Sequence, residues 1–314
     1  MKYLTLHTGA KMPALGLGTW QAAKGEVAAA VTEALRIGYR HIDCAHVYGN
    51  EAEVGEALAA TSVPREDLWI TSKLWNNAQR PEDVRPALER SLGALGLEYL
   101  DLYLVHWPVQ LSHAVMFPQS PDDLIPWTTE HALETWGALE DCVRAGLVRH
   151  LGTSNFSTKK LRPLLDNGSV KPAVSQVEMH PYQQQDRMRE FCRDNGMAVT
   201  GFAPLGSRHR PAHQHQEGEP SLLDHPDILA MADRLGTTPA SILLGWAVTR
   251  GTSVIPKSTN PERLRQNLAA ADLELAASDM DVIAAMDMGY RFLDGSHWMM
   301  AGSPYTPENL WDGE

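Results

Sequence analysis

The stretch Arg40-His41-Ile42-Asp43-Cys44-Ala45-His46-Val47-Tyr48 carries a short strand pattern whose end is followed at once by polar side chains. Two later stretches repeat this pattern, Trp69-Ile70-Thr71-Ser72-Lys73 and Leu102-Tyr103-Leu104-Val105-His106. In a (β/α)8 barrel, the carboxyl ends of the strands form the rim where loops converge around one cavity. We therefore expect the polar residues at these strand ends to share one site: Asp43, Tyr48, Lys73 and His106.

Strand and helix patterns alternate along the rest of the chain. Strands are predicted at 14–17, 40–43, 68–72, 100–106, 148–154, 173–177, 198–202 and 252–255. Helices are predicted at 26–37, 81–95, 136–143, 229–235 and 240–248. Eight strands that alternate with helices predict an α/β fold with a parallel sheet, closed as a TIM barrel. We predict a single domain over residues 1–314, with an N-terminal hairpin at 1–13.

Three segments do not fit this repeat: 109–131, 206–224 and 289–314. Stretches of this length without regular structure are usually functional loops or disordered segments in compact domains. The first and third contain aromatic residues that could cover a cavity, among them Phe117, Trp298 and Tyr305. We therefore predict long loops and a C-terminal tail that lie over the active site as lids.

The bulk properties restrict the partners. A net charge of -12 argues against general nucleic-acid binding, which needs a basic face. No window approaches the ~20 apolar residues of a membrane span, and the N-terminus has no signal-peptide pattern. The three cysteines have no CxxC spacing and are expected to be reduced thiols, which predicts a cytoplasmic protein. The predicted partner is a small molecule, with no nucleic acid and no membrane.

Two other ligand sites can be rejected from the sequence. Gly16-Leu17-Gly18 begins like the dinucleotide fingerprint GxGxxG, but Gln21 occupies the third glycine position, which is needed for close helix–strand packing. One loop holds several potential metal ligands: His209, His213, His215, Glu217 and Glu219. Their spacing does not fix a coordination geometry, so we interpret the loop as solvated and predict no metal site.

The four strand-end residues suggest a proton donor. An ordinary tyrosine has a pKa of about 10, too high for efficient proton transfer near neutral pH. A neighbouring ammonium favours the phenolate and lowers that pKa. This interpretation makes Tyr48 the proton donor, Lys73 the group that acidifies it and Asp43 the partner that fixes Lys73. His106 is expected to bind a carbonyl oxygen or to relay the proton.

Six motifs in this chain resemble, in the same order, those of the aldo-keto reductase family. They are Gly38-Tyr39-Arg40-His41-Ile42-Asp43 followed by Ala45, Tyr48 and Glu51; Ser72-Lys73; His106-Trp107-Pro108; Gly152-Thr153-Ser154-Asn155-Phe156; Gln176-Val177-Glu178-Met179-His180-Pro181; and Ile255-Pro256-Lys257-Ser258. The resemblance implies a (β/α)8 barrel of the aldose and aldehyde reductase type that binds NADPH without a Rossmann domain. It also implies the same roles for the four strand-end residues, and a monomer.

A phosphate site is predicted at the start of the last barrel helix. Asn260 is a good N-cap and Pro261 a good first helical residue, and the amides of such a helix start attract anions. Cations and hydroxyls surround this point, although a plain capped helix would look similar. The resemblance implies that four of these residues hold the 2′-phosphate of NADPH and that two more face the adenine: Lys257, Ser258, Thr259 and Arg263, then Gln266 and Asn267.

The resemblance also supplies the rest of the cofactor and substrate sites. The nicotinamide amide is expected at Ser154, Asn155 and Gln176, an aromatic stacking face at Phe202, and the pyrophosphate at Leu205 and Ser207. Two further cofactor contacts are expected at Thr19 and Trp20. The substrate pocket is expected to be lined by Trp20, Val47, Trp75, His106, Trp107, Phe117 and Trp298. Of the remaining tryptophans, three are expected to be structural: Trp69, Trp136 and Trp246.

The predicted function is NADPH-dependent reduction of aldehydes or ketones, open-chain sugars included, with Tyr48 as the proton donor. An aromatic wall with few polar groups suits small carbonyl compounds. Two alternatives remain open at this point. The same site could work as a polyol or hydroxy-compound dehydrogenase, or the chain could be an NADPH-binding regulatory subunit with little turnover.

Overall fold

The computed structural model describes residues 2–113, 115–208 and 210–314. Its strands are β1 Tyr3–Thr5, β2 Lys11–Pro13, β3 Leu17–Gly18, β4 His41–Asp43, β5 Trp69–Leu74, β6 Leu100–Val105, β7 Gln110–Leu111, β8 Leu124–Ile125, β9 Val148–Ser154, β10 Val174–Glu178, β11 Ala198–Phe202 and β12 Ser253–Val254. Strands β1 and β2 form the predicted antiparallel hairpin. The predicted strand bounds at 148–154 and 198–202 agree with β9 and β11.

Eight of these strands form one parallel sheet that closes on itself. Its order is β12-β11-β10-β9-β6-β5-β4-β3, and every neighbouring pair is parallel. The two edges meet because the Val254 amide donates to the Ala14 carbonyl and the Gly16 amide donates to the Val254 carbonyl, each at 2.9 Å. A Cβ at Gly18 would stand 2.7 Å from the Ile255 carbonyl oxygen, so only glycine permits this approach. The predicted barrel is confirmed.

Helices follow the strands and pack against one another around the barrel. They are α1 Val27–Ile37, α2 Glu51–Ala60, α3 Pro81–Leu95, α4 Thr129–Arg144, α5 Thr158–Asn167, α6 Asp186–Asp194, α7 Pro226–Leu235, α8 Pro239–Thr249, α9 Pro261–Ala270, α10 Ala277–Ala284 and α11 Pro307–Trp311. Helix α3 has the predicted bounds: it starts at a proline, carries acids in its first turn and ends at Gly96, whose φ of 66° is in the left-handed region that glycine tolerates. No helix in the described part of the chain is long and apolar enough to cross a membrane.

Two of the three segments predicted as loops are more regular than expected. Within 109–131, strands β7 and β8 pair with each other, and α4 starts at Thr129, seven residues before its predicted start. The early start has a local cause, because the Thr128 hydroxyl accepts a hydrogen bond from the His131 amide and caps the helix. The tail at 289–314 ends in α11 and packs closely on the barrel, with Trp298 fully buried.

The buried side chains form one large core between sheet and helices, a cluster that contains Trp69 and residues of the N-terminal hairpin, and a smaller cluster above the rim. Trp136 and Trp246 lie in the large core, each 1% exposed, and Trp69 stacks on His150 with ring centroids 5.3 Å apart. These three tryptophans are therefore structural, as predicted. The smaller cluster joins Trp75, Trp107 and the tail, and it stands over the carboxyl ends of the strands.

Candidate active site

Hydrogen bonds from Lys73 link three of the four predicted catalytic residues at the rim. Asp43 ends β4, Tyr48 follows in a short helical turn and Lys73 lies near the end of β5. The Lys73 ammonium donates to the Asp43 carboxylate, to the Cys44 carbonyl oxygen at 2.8 Å and to the Tyr48 hydroxyl oxygen at 3.3 Å. All three donor positions of the ammonium are therefore used, and the phenol is held at one of them.

His106 completes the group from the neighbouring strand. It follows β6 directly, and its ring meets the Tyr48 ring edge-on with centroids 5.8 Å apart. It contacts Trp75 in the same manner at 5.2 Å. Its Nδ1 atom is buried and has no hydrogen-bond partner in the described part of the chain. The structure thus brings the four predicted residues together.

The pKa of Tyr48 differs from the expectation. Burial raises this pKa above its usual value, and the charge of Lys73 offsets only part of the rise. Lys73 lowers this pKa as predicted, but burial outweighs it in the chain alone, which was not expected. The reason is that the sequence shows the neighbouring ammonium but not how much water the fold removes from the phenol. Tyr48 keeps partial exposure at the rim.

Lys73 and His106 hold defined charge states across the neutral range. Burial alone would lower the pKa of Lys73, but Asp43 and Tyr48 more than offset it, so this pKa lies above its usual value and the ammonium stays charged. Burial, assisted by Lys73, holds the pKa of His106 well below its usual range. His106 is therefore a neutral imidazole, which can donate one N–H hydrogen bond without carrying a charge.

The sequence analysis missed several polar contacts that support this group. The Gln176 amide nitrogen donates to the free oxygen of Asp43 at 2.7 Å, so Gln176 contacts the catalytic group as well as the expected cofactor region. The Thr19 hydroxyl donates to the Asp43 backbone carbonyl at 2.9 Å. The Cys44 carbonyl could not have been predicted, because a main-chain contact leaves no mark on residue type.

The predicted nicotinamide site contains a buried hydrogen-bond acceptor that has no donor among the described residues. Asn155 follows β9 with a φ of 64°, and its side-chain nitrogen donates to the His106 carbonyl at 3.0 Å. Its side-chain oxygen is buried and has no partner among the described residues. An amide N–H of a bound group would satisfy this acceptor. Ser154 is next to it and equally buried, so these residues fit a carboxamide group.

The predicted phosphate site offers two free cations beside a helix start. The Asn260 side-chain oxygen accepts from the amides of Glu262 and Arg263, both at 3.0 Å, and caps α9. Neither the Lys257 ammonium nor the Arg263 guanidinium has a partner in the part of the chain that the structure describes. These residues therefore fit a phosphate, which would neutralise them.

The remaining predicted cofactor residues differ in how available they are. Ser258 and Asn267 are largely buried, Thr259 is partly exposed, and the Gln266 amide nitrogen donates to Glu262 at 3.2 Å. Phe202 at the end of β11, and Leu205 and Ser207 in the sharply turned segment after it, are all partly exposed. Ser207 has a φ of 48°, and its carbonyl accepts from the buried Arg210 at 3.3 Å. The segment is therefore folded by its own contacts.

The loop residues that the sequence suggested as potential metal ligands, and for which we predicted no metal site, lie in this same segment. His209 and the side chain of His213 lie outside the described residues. The His215 ring is bound on both nitrogens, to Glu219 at 2.8 Å and to the Arg210 carbonyl at 3.1 Å.

The predicted substrate residues form an aromatic wall next to His106. Trp298 packs on both Trp75 and Trp107 with ring centroids 5.8 Å apart in each case. Phe117 contacts Trp75 at the same distance but is 54% exposed, so it stands at the outer edge of the wall. Trp20 and Val47 are partly exposed on the rim. The wall offers apolar contact to a small molecule placed against the four-residue group.

Comparisons with known proteins cover nearly the whole chain. The family model described as "Aldo/keto reductase family" matches residues 14–294. The chain is 52% identical to Aldo/keto reductase slr0942 of Synechocystis sp., over 99% of this chain and 97% of that protein. It is 48% identical to Aldo-keto reductase family 1 member A1 of Rattus norvegicus, with 97% of each covered. The solved structure of the aldose reductase from Schistosoma japonicum superposes with a TM-score of 0.86 at 39% identity, covering 96% of this chain and 97% of that one.

Proposed function

Because this chain belongs to the aldo/keto reductase family, we propose that it reduces aldehydes and ketones to alcohols with NADPH and that Tyr48 donates the proton. The family makes it an oxidoreductase that acts on small carbonyl compounds. The observation that carries the finer proposal is the contact between the Lys73 ammonium and the Tyr48 hydroxyl at the barrel rim.

The proton transfer can be derived from the four-residue group. When bound, the nicotinamide cofactor supplies the hydride. As negative charge develops on the carbonyl oxygen, the Tyr48 hydroxyl donates its proton to that oxygen. The phenolate left behind is stabilised by the Lys73 ammonium 3.3 Å away. His106, neutral and beside Tyr48, donates a second hydrogen bond to the oxygen and stabilises the same charge.

Asp43 and the cofactor residues position these groups. Asp43 holds Lys73 on one carboxylate oxygen and Gln176 on the other, which fixes the ammonium against the phenol. Asn155, with its unpartnered buried oxygen, would hold the nicotinamide carboxamide. Lys257 and Arg263 would hold the 2′-phosphate, which is why we favour NADPH over NADH. Trp75, Trp107 and Trp298 confine the carbonyl compound.

The pKa values give the pH dependence of the reaction. The Tyr48 pKa is raised in the chain alone, so the phenol carries its proton throughout the neutral range. We expect kcat for reduction to fall only as the pH rises through the Tyr48 pKa, and kcat for alcohol oxidation to rise there, because oxidation needs the phenolate as a base. The lowered pKa of His106 predicts no change near its usual value of about 6.5. Steady-state rates in both directions, from about pH 5.5 to above about pH 10, check this, and a loss of reduction centred at about pH 6.5 would contradict it.

A steady-state screen tests the function itself. Aldehydes, ketones and open-chain sugars are each offered with NADPH and with NADH, and polyols with the oxidised cofactors. We expect the highest kcat/KM with NADPH and an aldehyde. A higher kcat/KM for a polyol would favour a dehydrogenase, and tight NADPH binding without any turnover would favour a cofactor-binding subunit.

The location and assembly of the chain remain predictions. All three cysteines are free and buried, and burial raises the pKa of the Cys142 thiol to about 11 and that of Cys192 to about 12. Thiols in this state react slowly and suit the reducing cytoplasm that we propose. We also propose a monomer, for which sedimentation analysis is the check.

A further inference from the structure

The tail at 289–314, called here the strap, is hydrogen-bonded to the rest of the protein at three places: the end of β10, the β7–β8 pair and the start of α5. It begins where the Glu178 carboxylate, at the end of β10, accepts from the amides of Phe292 at 2.6 Å and Leu293 at 2.9 Å. In the middle, the Tyr305 hydroxyl donates to the Ile125 carbonyl at 2.6 Å and accepts from the Gln110 amide at 3.1 Å. The third contact is made by the last residues of the strap.

That third contact centres on Lys160, a buried lysine in the first turn of α5. Its side chain is only 4% exposed, and its ammonium donates to the Asp312 carboxylate and to the carbonyls of Asn309 at 2.5 Å and Leu310 at 3.2 Å. The Ser157 hydroxyl donates to the same Asp312 oxygen at 2.6 Å. Every hydrogen of the buried ammonium is therefore matched by an acceptor on the strap.

Glu314 adds a second contact at the same helix start. Its side-chain carboxylate accepts from the Thr158 amide at 2.9 Å and from the Thr158 hydroxyl. Its main-chain oxygen accepts from Arg291 at 2.7 Å. Arg291 also lies over the Trp311 ring, with its guanidinium carbon 4.0 Å from the ring centroid. The end of the strap is thus bound both to α5 and to its own beginning.

The end of the strap that Lys160 binds is connected to both the substrate wall and the proposed nicotinamide site. Asp312 follows Trp311, whose ring packs on Trp107 of the substrate wall with centroids 5.9 Å apart. On the other side, only Phe156 and the N-cap Ser157 separate α5 from Asn155, the proposed nicotinamide contact. A shift of this helix start would therefore move the cofactor contact and the substrate wall relative to each other.

We propose that the Lys160–Asp312 pair is a positioning contact. It fixes the substrate wall, formed by Trp75, Trp107 and Trp298, relative to the turn at Asn155 that would bind the nicotinamide. The inference rests on the proposed function, since it assumes carbonyl reduction at this site. Removing the buried ammonium leaves the Asn309 and Leu310 carbonyls without this donor and takes from Asp312 its buried cation, which favours release of the strap. Lys160 contacts none of the proposed reacting groups, so it acts through Trp311 and through the turn at Asn155.

The test compares two neighbouring lysines. Lys160→Met removes the buried ammonium and keeps a long apolar side chain. The matched control is Lys159→Met, because Lys159 meets the same Asp312 carboxylate at 3.1 Å but is 77% exposed, and exposed ion pairs contribute little. Amide hydrogen exchange is measured over residues 296–311, and KM and kcat are measured with an aromatic aldehyde and NADPH.

We expect faster exchange in Lys160→Met and a KM for the aldehyde raised about tenfold, because a displaced wall binds the aldehyde less tightly. We also expect a lower kcat, because the carbonyl is no longer aligned with the nicotinamide. Lys159→Met should match the wild type in all three. If Lys160→Met does not fold, Asp312→Asn should show the same changes.

Unchanged exchange in the folded variant would overturn the proposal, as would faster exchange without a change in KM, which marks a purely structural bond. An equal effect in Lys159→Met would overturn it as well. A wild-type protein that reduces no aldehyde would instead contradict the proposed function, and the exchange comparison would still decide whether Lys160 holds the strap.

Discussion

Tyr48→Phe should lower kcat for aldehyde reduction by about 10²–10⁴-fold, the usual contribution of a positioned general acid. The substitution removes the hydroxyl that accepts from Lys73 and keeps the ring that contacts His106. The affinity for NADPH should be unchanged, because the proposed cofactor contacts are on other residues. Stopped-flow measurement of NADPH oxidation, with fluorescence titration of NADPH binding, checks both statements.

A matched control for this prediction is Tyr103→Phe. Tyr103 is fully buried on β6, and its hydroxyl has no hydrogen-bond partner among the described residues, so losing it breaks no contact. We expect wild-type kcat from this variant. Turnover that survives in Tyr48→Phe would remove Tyr48 from the role of proton donor, and equal losses in both variants would point to general damage.

Lys257→Ala should raise the KM for NADPH by about 10–100-fold and leave the KM for NADH nearly unchanged. The estimate assumes loss of one charge-assisted hydrogen bond to a phosphate, about 1.5–3 kcal/mol. NADH has no 2′-phosphate, so it has nothing to lose at this position. Steady-state kinetics with both cofactors at fixed ionic strength measure the difference.

Arg265→Ala provides the control for Lys257→Ala. Arg265 is a cation on the same helix, α9, but its guanidinium already pairs with Glu33 at 2.6 Å and with Glu262 at 3.6 Å. It is therefore not available to a phosphate, and its removal should not change the KM for NADPH. Equal increases for NADPH and NADH in Lys257→Ala would refute the 2′-phosphate assignment.

The fold was predictable where apolar periodicity and end signals coincide. Helix α3 is marked by Pro81 at its start and Gly96 after its end, and both bounds were predicted correctly. Helix α4 was predicted from Trp136 onwards because its first two turns are largely polar, and its true start depends on the Thr128 cap. A capping hydrogen bond is decided by the backbone geometry before the helix, which periodicity does not report.

The residues that form the site could be predicted from the sequence, but the direction of the Tyr48 pKa could not. Asp43, Lys73 and His106 could be grouped because parallel strands bring their carboxyl ends to one rim. The direction of the Tyr48 pKa could not be predicted, since it depends on how much water the fold excludes. The Lys160–Asp312 contact could not be predicted either. The two residues are 152 positions apart in the sequence, and no local pattern marks such a contact.

The most direct test of the account is a crystal structure of the protein with NADP⁺ and an unreactive carbonyl compound. It should place the carbonyl oxygen within about 2.6–3.2 Å of the Tyr48 hydroxyl and of a ring nitrogen of His106. The carbonyl carbon should lie about 3–3.5 Å from the hydride-carrying carbon of the nicotinamide. A nicotinamide bound away from Asn155, or a carbonyl oxygen bonded to another donor while Tyr48 stands apart, would contradict the proposed mechanism.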